Sequence, residues 1–192
     1  MLKTRSALQQ VFFQRRSFTA SAIHFKSTTL GSHPKLHAHP FDNNKYAVTY
    51  VSSDDLKSSK LDPELIIGWS SDKDKLDPKT FVENNKFSNF LTSVLKENIH
   101  KVNDTNLKAM ADWQKEGWLH IGDERNPAPW GRINYPEDII GSVEINAGVI
   151  KEGSYQAMPT HRLMTNNGIF QLSEPLTNLV IAEAKKKASN AK

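Results

Sequence analysis

The side chains best suited to chemistry are concentrated in residues 123–141. This stretch of nineteen residues contains two arginines, four carboxylates, one tryptophan, one tyrosine, three prolines and two glycines. Proline and glycine at this density favour a rigid, shaped loop, and such loops frequently carry binding or catalytic groups. The stretch, called the Pro-rich loop from here on, is therefore the first candidate for a functional site.

The carboxylates of the Pro-rich loop are open to two interpretations. Neighbouring carboxylates supply general acids and bases, and their oxygens also bind hard cations. The run Asn134-Tyr135-Pro136-Glu137 is, however, typical of a helix start in which Asn134 is the cap and Glu137 completes a capping box. We favour capping and assign no catalytic residue. The carboxylates concerned are Asp123, Glu124, Glu137 and Asp138.

Three arginines and one carboxylate are the candidate residues for binding an anion or a partner: Arg125, Arg132, Arg162 and Asp138. A guanidinium binds a phosphate or a carboxylate through two parallel hydrogen bonds. Arginines in an acidic loop more often pair with its own carboxylates and fix its shape. Trp130 is the candidate anchor for a partner, because Trp and Arg are enriched in binding hot spots, although it would pack equally well inside the loop.

Two functions from different classes fit these residues. The first is a non-catalytic protein that docks a protein partner, as an assembly factor or accessory subunit of a respiratory or ribosomal complex. The second is an enzyme or binding protein for a small anionic substrate held by Arg125 and Arg132, with Asp123 or Asp138 as base. We prefer the first, because the sequence shows no nucleophile motif and no cofactor fingerprint.

The sequence contains no cysteine and no convincing set of metal ligands. The chain has no cysteine, which excludes disulfides, thiolate zinc sites and a cysteine nucleophile. His33, His37 and His39 have a spacing compatible with a metal, but no carboxylate or cysteine accompanies them in a stretch interrupted by prolines. We therefore predict neither a metal nor a cofactor.

The first 25 residues have the composition of a mitochondrial import signal. They contain Lys3, Arg5, Arg15 and Arg16 and no acidic residue. Arg16 lies two residues before Phe18, with Ser21 three residues further on, a spacing that resembles two-step processing and would start the mature chain at residue 26. This pattern predicts the mitochondrial matrix. The alternative is a disordered basic arm that binds nucleic acid or an anionic membrane.

The charge of the body argues against nucleic acid as a partner. The whole chain has a formal net charge of +4, and the four cations of the import signal account for all of it. A neutral body gives no net-charge reason to expect nucleic-acid binding, which normally requires a basic face, so only a local basic patch would support it. No apolar run approaches the length needed to span a bilayer. We expect a soluble protein, or one held to a membrane only through a partner.

The remaining sequence predicts a single α+β domain over residues 45–188, with an antiparallel sheet and two or three packed helices. It follows a polar, flexible leader over residues 26–44 and precedes a short tail over residues 189–192. Alternating or short apolar runs predict strands at residues 45–51, 65–69, 118–121 and 142–146. Asn167-Gly168 predicts the turn of a hairpin.

Helices are predicted from apolar residues at helical spacing. Residues 87–95 carry the clearest apolar face, and Asp77-Pro78 supplies a start for that helix. A second helix is expected from residue 105 or 106 to 116, with Gly117 as its stop. Ser173 caps a third helix, whose lysine-rich end complements the helix dipole.

The sequence also resembles a family over its C-terminal half. The segment from Trp118 to Glu144, in particular Arg125-Asn126-Pro127, Gly131-Arg132-Ile133, Pro136-Glu137-Asp138-Ile139 and Gly141-Ser142-Val143-Glu144, is similar to an uncharacterised group of fungal mitochondrial proteins. Tyr155-Gln156, Arg162 and Gly168 continue the likeness. The family has no established activity, so the resemblance implies a mitochondrial location but no chemistry.

Overall fold

The first half of the chain forms a five-stranded antiparallel sheet. The computed structural model describes residues 26–31, 33–42, 44–57, 60–129 and 132–190; the predicted import signal lies outside them. The strands follow one another in the order of the chain. They are β1 (Thr28–Leu30), β2 (His33–Asp42), β3 (Lys45–Thr49), β4 (Ile66–Ser70) and β5 (Val82–Glu83).

The prediction of a flexible leader over residues 26–44 is wrong, because this stretch contains the strands β1 and β2. β2 pairs with β1 on one side and with β3 on the other, so it is an interior strand of the sheet. The strand was not predicted because several of its side chains are polar. One of them, His39, is buried and donates from Nε2 to the Val51 carbonyl oxygen at 2.7 Å. The strand also contains Pro34 and Pro40, which ordinarily argue against an interior strand.

The second half of the chain builds a smaller antiparallel sheet beside a hairpin. The sheet contains β6 (Gly117–Gly122), β7 (Ile139–Asn146), β8 (Val149–Ile150) and β9 (Gln156–Ala157), and the hairpin contains β10 (Met164–Thr165) and β11 (Gly168–Ile169). The predicted strands and hairpin are confirmed. The Pro-rich loop leaves β6 and returns as β7, with which β6 is paired, so both of its ends are held by the sheet.

Three α-helices are found in the described part of the chain: α1 (Asn85–Asn98), α2 (Thr105–Gln114) and α3 (Glu174–Asn190). The predicted face of α1 is confirmed, since its buried residues are Phe87, Phe90, Leu91, Val94 and Leu95. Phe87 lies 6.4 Å from Tyr50 and 6.0 Å from Phe170 between ring centroids. This aromatic cluster joins the end of β3, α1 and the hairpin in one core and confirms the α+β class.

The helix ends differ from the prediction in three places. α1 begins after Asn84, whose Oδ1 accepts from the Lys86 amide at 3.1 Å and whose Nδ2 donates to the carbonyl oxygens of Pro63 and of Ile66, the first residue of β4. Asp77-Pro78 is therefore not its start, because the chain first forms β5. α2 ends at Gln114 and the reversal falls on Lys115, at φ 67°. Asn134 caps nothing: a short 3₁₀ turn over Pro136–Asp138 follows Tyr135 without a side-chain cap.

Candidate functional site

The Pro-rich loop is anchored at its start by a fully buried carboxylate. Asp123 follows the last residue of β6 and has no exposed surface. Its Oδ1 accepts from the backbone amides of Arg125 and Gln171, both at 3.0 Å. Its Oδ2 accepts from Arg125 Nη2 at 2.7 Å and from His161 Nε2 at 2.8 Å. Both oxygens are therefore engaged by the protein itself.

Arg125 links the start of the loop to the hairpin. Its side chain is 1% exposed and lies against Asp123. Nη1 donates to Thr165 Oγ1 at 3.0 Å and to the Gly168 carbonyl oxygen at 2.7 Å, and Nη2 also donates to the Arg162 carbonyl oxygen at 2.8 Å. Thr165 lies in β10, Gly168 lies in β11 and Arg162 lies two residues before β10. One guanidinium therefore fixes the hairpin against the loop.

His161 completes this buried cluster, formed by Asp123, Arg125 and His161. Its side chain is almost fully buried, with its ring edge-on to Phe170 at 6.3 Å. Burial acts to raise the pKa of the Asp123 carboxyl, but hydrogen bonds from His161 and Arg125 outweigh burial and hold that pKa below its ordinary value. Asp123 is thus an anion at neutral pH, and it is matched by donors that enclose it.

An Asp–His pair is a frequent acid–base device, but this one is arranged as a structural tie. Asp123 has no exposed surface, and each of its oxygens already accepts two hydrogen bonds. A substrate has no free lone pair to use. The arrangement therefore fixes the loop, as expected for an arginine that pairs with a carboxylate of its own loop.

The other end of the Pro-rich loop is held more lightly. Asp138 Oδ2 accepts from Asn126 Nδ2 at 2.8 Å, and the Asp138 carbonyl oxygen accepts from the Asp123 amide at 2.7 Å. These bonds close the loop across its base. Arg162 is exposed and pairs with Glu83 of β5, Nε to Oε1 at 3.1 Å. Asp138 and Arg162 do not line either of the two described pockets that Arg132 lines.

Arg132 lies apart from the buried cluster, on the surface. Its side chain is exposed and forms no ion pair with any of the residues that the structure describes. It lines a groove of about 360 Å³ between α2, β6 and the Pro-rich loop. We call this the α2–β6 groove; its main residues are Met110, Trp113, Trp118, His120, Arg132 and Ile133. The structure thus separates Arg132 from Arg125, which the sequence could not do.

A second pocket of about 280 Å³ shares Met110, His120, Arg132 and Asn134 with this groove and reaches the beginnings of α2 and α3. Asp104 lies between the two helices. Its Oδ1 accepts from the Leu107 amide at 3.0 Å, and its Oδ2 accepts from Ser173 Oγ at 2.6 Å. The predicted cap Ser173 therefore precedes α3 as expected, but its hydroxyl is bonded to Asp104. Asp104 was missed from the sequence, where it appears only as one more polar residue before a helix.

The remaining sequence candidates add little to the site. Trp130, the predicted anchor, lies outside the described residues. No group of three or more metal-ligating side chains occurs in the part of the chain that was described. Among the same residues, no helix is both long enough and apolar enough to cross a membrane.

Comparisons with family models, with curated proteins and with solved structures found no match to this chain. The resemblance of the C-terminal half to fungal mitochondrial proteins therefore stays a prediction.

Proposed function

We propose that this chain is a non-catalytic docking protein of the mitochondrial matrix, which binds a protein partner at the α2–β6 groove. One observation carries the proposal. Seven large apolar side chains are strongly exposed in the described residues, and four of them surround this groove and the loop beside it: Trp113 at 64%, Trp118 at 45%, Ile133 at 75% and Tyr135 at 70%.

The clustering matters more than the exposure. Single exposed apolar residues are common on soluble proteins, whereas neighbouring ones that share a concave surface are typical of interaction sites. Trp113, Trp118 and Ile133 line the same groove together with Arg132. Trp and Arg are the residue types most enriched in binding hot spots. A partner that covers this surface removes large apolar areas from water and gains a cation to pair with.

The alternative function, an anionic substrate held by Arg125 and Arg132 together, is less well supported. Arg125 is enclosed and its two terminal nitrogens are bonded to Asp123, Thr165, Gly168 and Arg162. Arg132 alone remains for a ligand at the surface. A single exposed guanidinium beside aromatic side chains suits a protein interface better than the convergent polar groups of a small-molecule site.

The compartment belongs to the proposal and depends on the basic, acid-free segment of residues 1–25. A matrix protein that acts by docking fits an assembly factor or an accessory subunit of a respiratory or ribosomal complex. The partner is expected to be a protein, and the neutral charge of the body gives no reason to expect nucleic acid.

The proposal is tested by affinity purification of the tagged full-length chain with three variants. Trp118→Ala and Ile133→Ala should reduce recovery of the same partner by about tenfold, as expected for truncated hot-spot side chains. Val149→Ala is the matched control. Val149 is a β-branched residue that is 66% exposed, and it is not among the residues that line the groove. A partner set that is unchanged in all three variants would exclude the groove as the docking site.

A further inference from the structure

The strand β6, which forms the floor of the α2–β6 groove, is an edge strand. It pairs with β7 along its whole length, and no described residue pairs with its other side as a strand. An edge strand presents alternate backbone N–H and C=O groups to whatever lies beside it. The hydrogen bonds of β7 determine the direction in which these groups point.

Trp118 faces Glu144 across the two strands. The Glu144 amide donates to Ser154 Oγ at 3.1 Å, and its carbonyl oxygen accepts from the Lys151 amide at 2.9 Å. Both groups therefore point away from β6. Residues directly opposite in an antiparallel pair either exchange both bonds or neither, so the amide and carbonyl of Trp118 also point outward, away from β7.

The same alternation places the amide and carbonyl of His120 on the outer edge, two residues further along. Gln114 Nε2 donates to the Trp118 carbonyl oxygen at 3.0 Å, which confirms its outward direction and covers that one acceptor. The His120 backbone groups have no partner among the described residues. Its side chain is turned aside, with Nδ1 and Ser142 Oγ 2.7 Å apart. The open edge therefore lies at the floor of the groove.

The walls of the groove complement this edge. Trp118 and Ile133 present apolar side chains, and Arg132 is the one residue with a fixed charge among the described residues that line it. A carboxylate in this position would meet a guanidinium that has no ion-pair partner among the described residues, whereas a lysine would be repelled.

We propose that the α2–β6 groove binds an extended segment of the partner protein as an additional strand on β6. Backbone groups of the segment pair with the Trp118 amide and with the amide and carbonyl of His120, an acidic side chain pairs with Arg132, and a neighbouring apolar side chain packs against Trp118 and Ile133. Addition of a strand to an exposed sheet edge is a recurring mode of peptide recognition, in which the backbone gives affinity and alternate side chains give specificity. This inference rests on the proposed docking function.

The probe is a set of short random peptides displayed on phage and selected on the full-length chain. The expected consensus alternates apolar residues and contains one Asp or Glu. Peptides with this consensus are then synthesised with single N-methylated amides. Methylation at alternate positions, where the amide faces β6, should weaken binding by about tenfold or more, while methylation at the positions between should be tolerated.

Charge reversal tests the side-chain part of the inference. Arg132→Glu should weaken the acidic peptides by about tenfold and accept their Lys counterparts. Lys79→Glu is the matched control, because it makes the same change in charge on an exposed residue before β5 of the other sheet. Amide hydrogen exchange supplies the structural readout: bound peptide should slow exchange at His120, whereas Leu119 and Ile121, whose amides face β7, should be slow with or without it.

The outcomes separate this inference from the docking function. Peptides that show no alternation on N-methylation, or that bind Arg132→Glu as well as the unchanged chain, would overturn strand addition. The same conclusion follows if no peptide is selected. If Trp118→Ala still reduces recovery of the natural partner in any of these cases, the docking function stands and only its mode is wrong. If Trp118→Ala also leaves recovery of the natural partner unaffected, both the docking function and strand addition are wrong.

Discussion

Replacement of Arg125 by alanine should destabilise the fold by about 3–5 kcal/mol, the cost expected when one member of a buried ion pair is removed. The side chain is 1% exposed, and its guanidinium donates to the Asp123 carboxylate and to three further oxygens. Without it, Asp123 keeps His161 and two backbone amides but loses its fixed positive partner. Against a typical total of about 5–15 kcal/mol, this is a large fraction of the stability.

The assay is urea unfolding at neutral pH, with two matched variants from the same part of the structure. Arg132→Ala should change the free energy of unfolding by less than about 0.5 kcal/mol, because its side chain is exposed and unpaired among the described residues. Arg162→Ala should cost about 0–1 kcal/mol, since Arg162 belongs to an exposed ion pair with Glu83. Arg125→Lys should fall between, because one ammonium cannot reach all four acceptors.

A loss below about 1 kcal/mol for Arg125→Ala would refute this reasoning. So would equal losses for Arg125→Ala and Arg132→Ala, since the two arginines would then support the loop equally. Unfolding followed by fluorescence and by circular dichroism should give the same midpoint, which establishes that a single transition is being compared.

Three further predictions concern packing in the core, the pH dependence of the stability and the mitochondrial import signal. Gly141→Ala should destabilise the fold by about 1–3 kcal/mol in thermal unfolding, because a Cβ there would lie 2.5 Å from the Tyr155 ring and 2.6 Å from the Gln156 carbonyl oxygen; Gly31→Ala, with open space around it, is the control. Burial lowers the pKa of His39 in the folded state, so the unfolded chain takes up protons first, and stability in urea should fall as pH drops from about 7.5 to 5.5. His39→Gln should flatten that slope, and an unchanged slope would show that other groups cause it. Deletion of residues 1–25 should leave the chain outside the matrix in a protease-protection assay of mitochondria, and normal import of the truncated chain would disprove the targeting signal.

The elements that local pattern determines were predictable from the sequence. The apolar face of α1 and the hairpin at residues 164–169 follow from spacing and turn chemistry within a few residues of the chain. The helix starts were less predictable, because a cap is also chosen by tertiary contacts. Asn84 was selected over Asp77 since its amide also satisfies the carbonyls of Pro63 and Ile66, eighteen or more residues away in the chain.

β2 escaped prediction for a physical reason of the same kind. Its buried residues include His39 and Ala38, which do not produce a strong apolar alternation. A buried histidine is acceptable there because Val51 accepts its hydrogen bond at 2.7 Å. Val51 lies outside β2, so the sequence of the strand alone does not show that its histidine can be buried.

In the candidate site, too, contacts between residues close in sequence were predictable and contacts between distant residues were not. The pairing of Arg125 with a carboxylate of its own loop could be expected, since Asp123 is two residues away. Its bonds to Thr165 and Gly168 join residues forty or more positions apart, and they needed the fold. The α2–β6 groove likewise exists only once α2, β6 and the Pro-rich loop are brought together.

Site-specific photo-crosslinking from the groove tests the docking claim most directly. A photoreactive amino acid replaces Ile133 in one chain and Val149 in another, and both chains are irradiated in the cells that make them. Both positions are strongly exposed, so both side chains are accessible to a bound neighbour. A partner bound in the α2–β6 groove should give one discrete adduct from position 133 that is absent from position 149. Identical adducts from both positions, or none from position 133, would contradict docking at this groove.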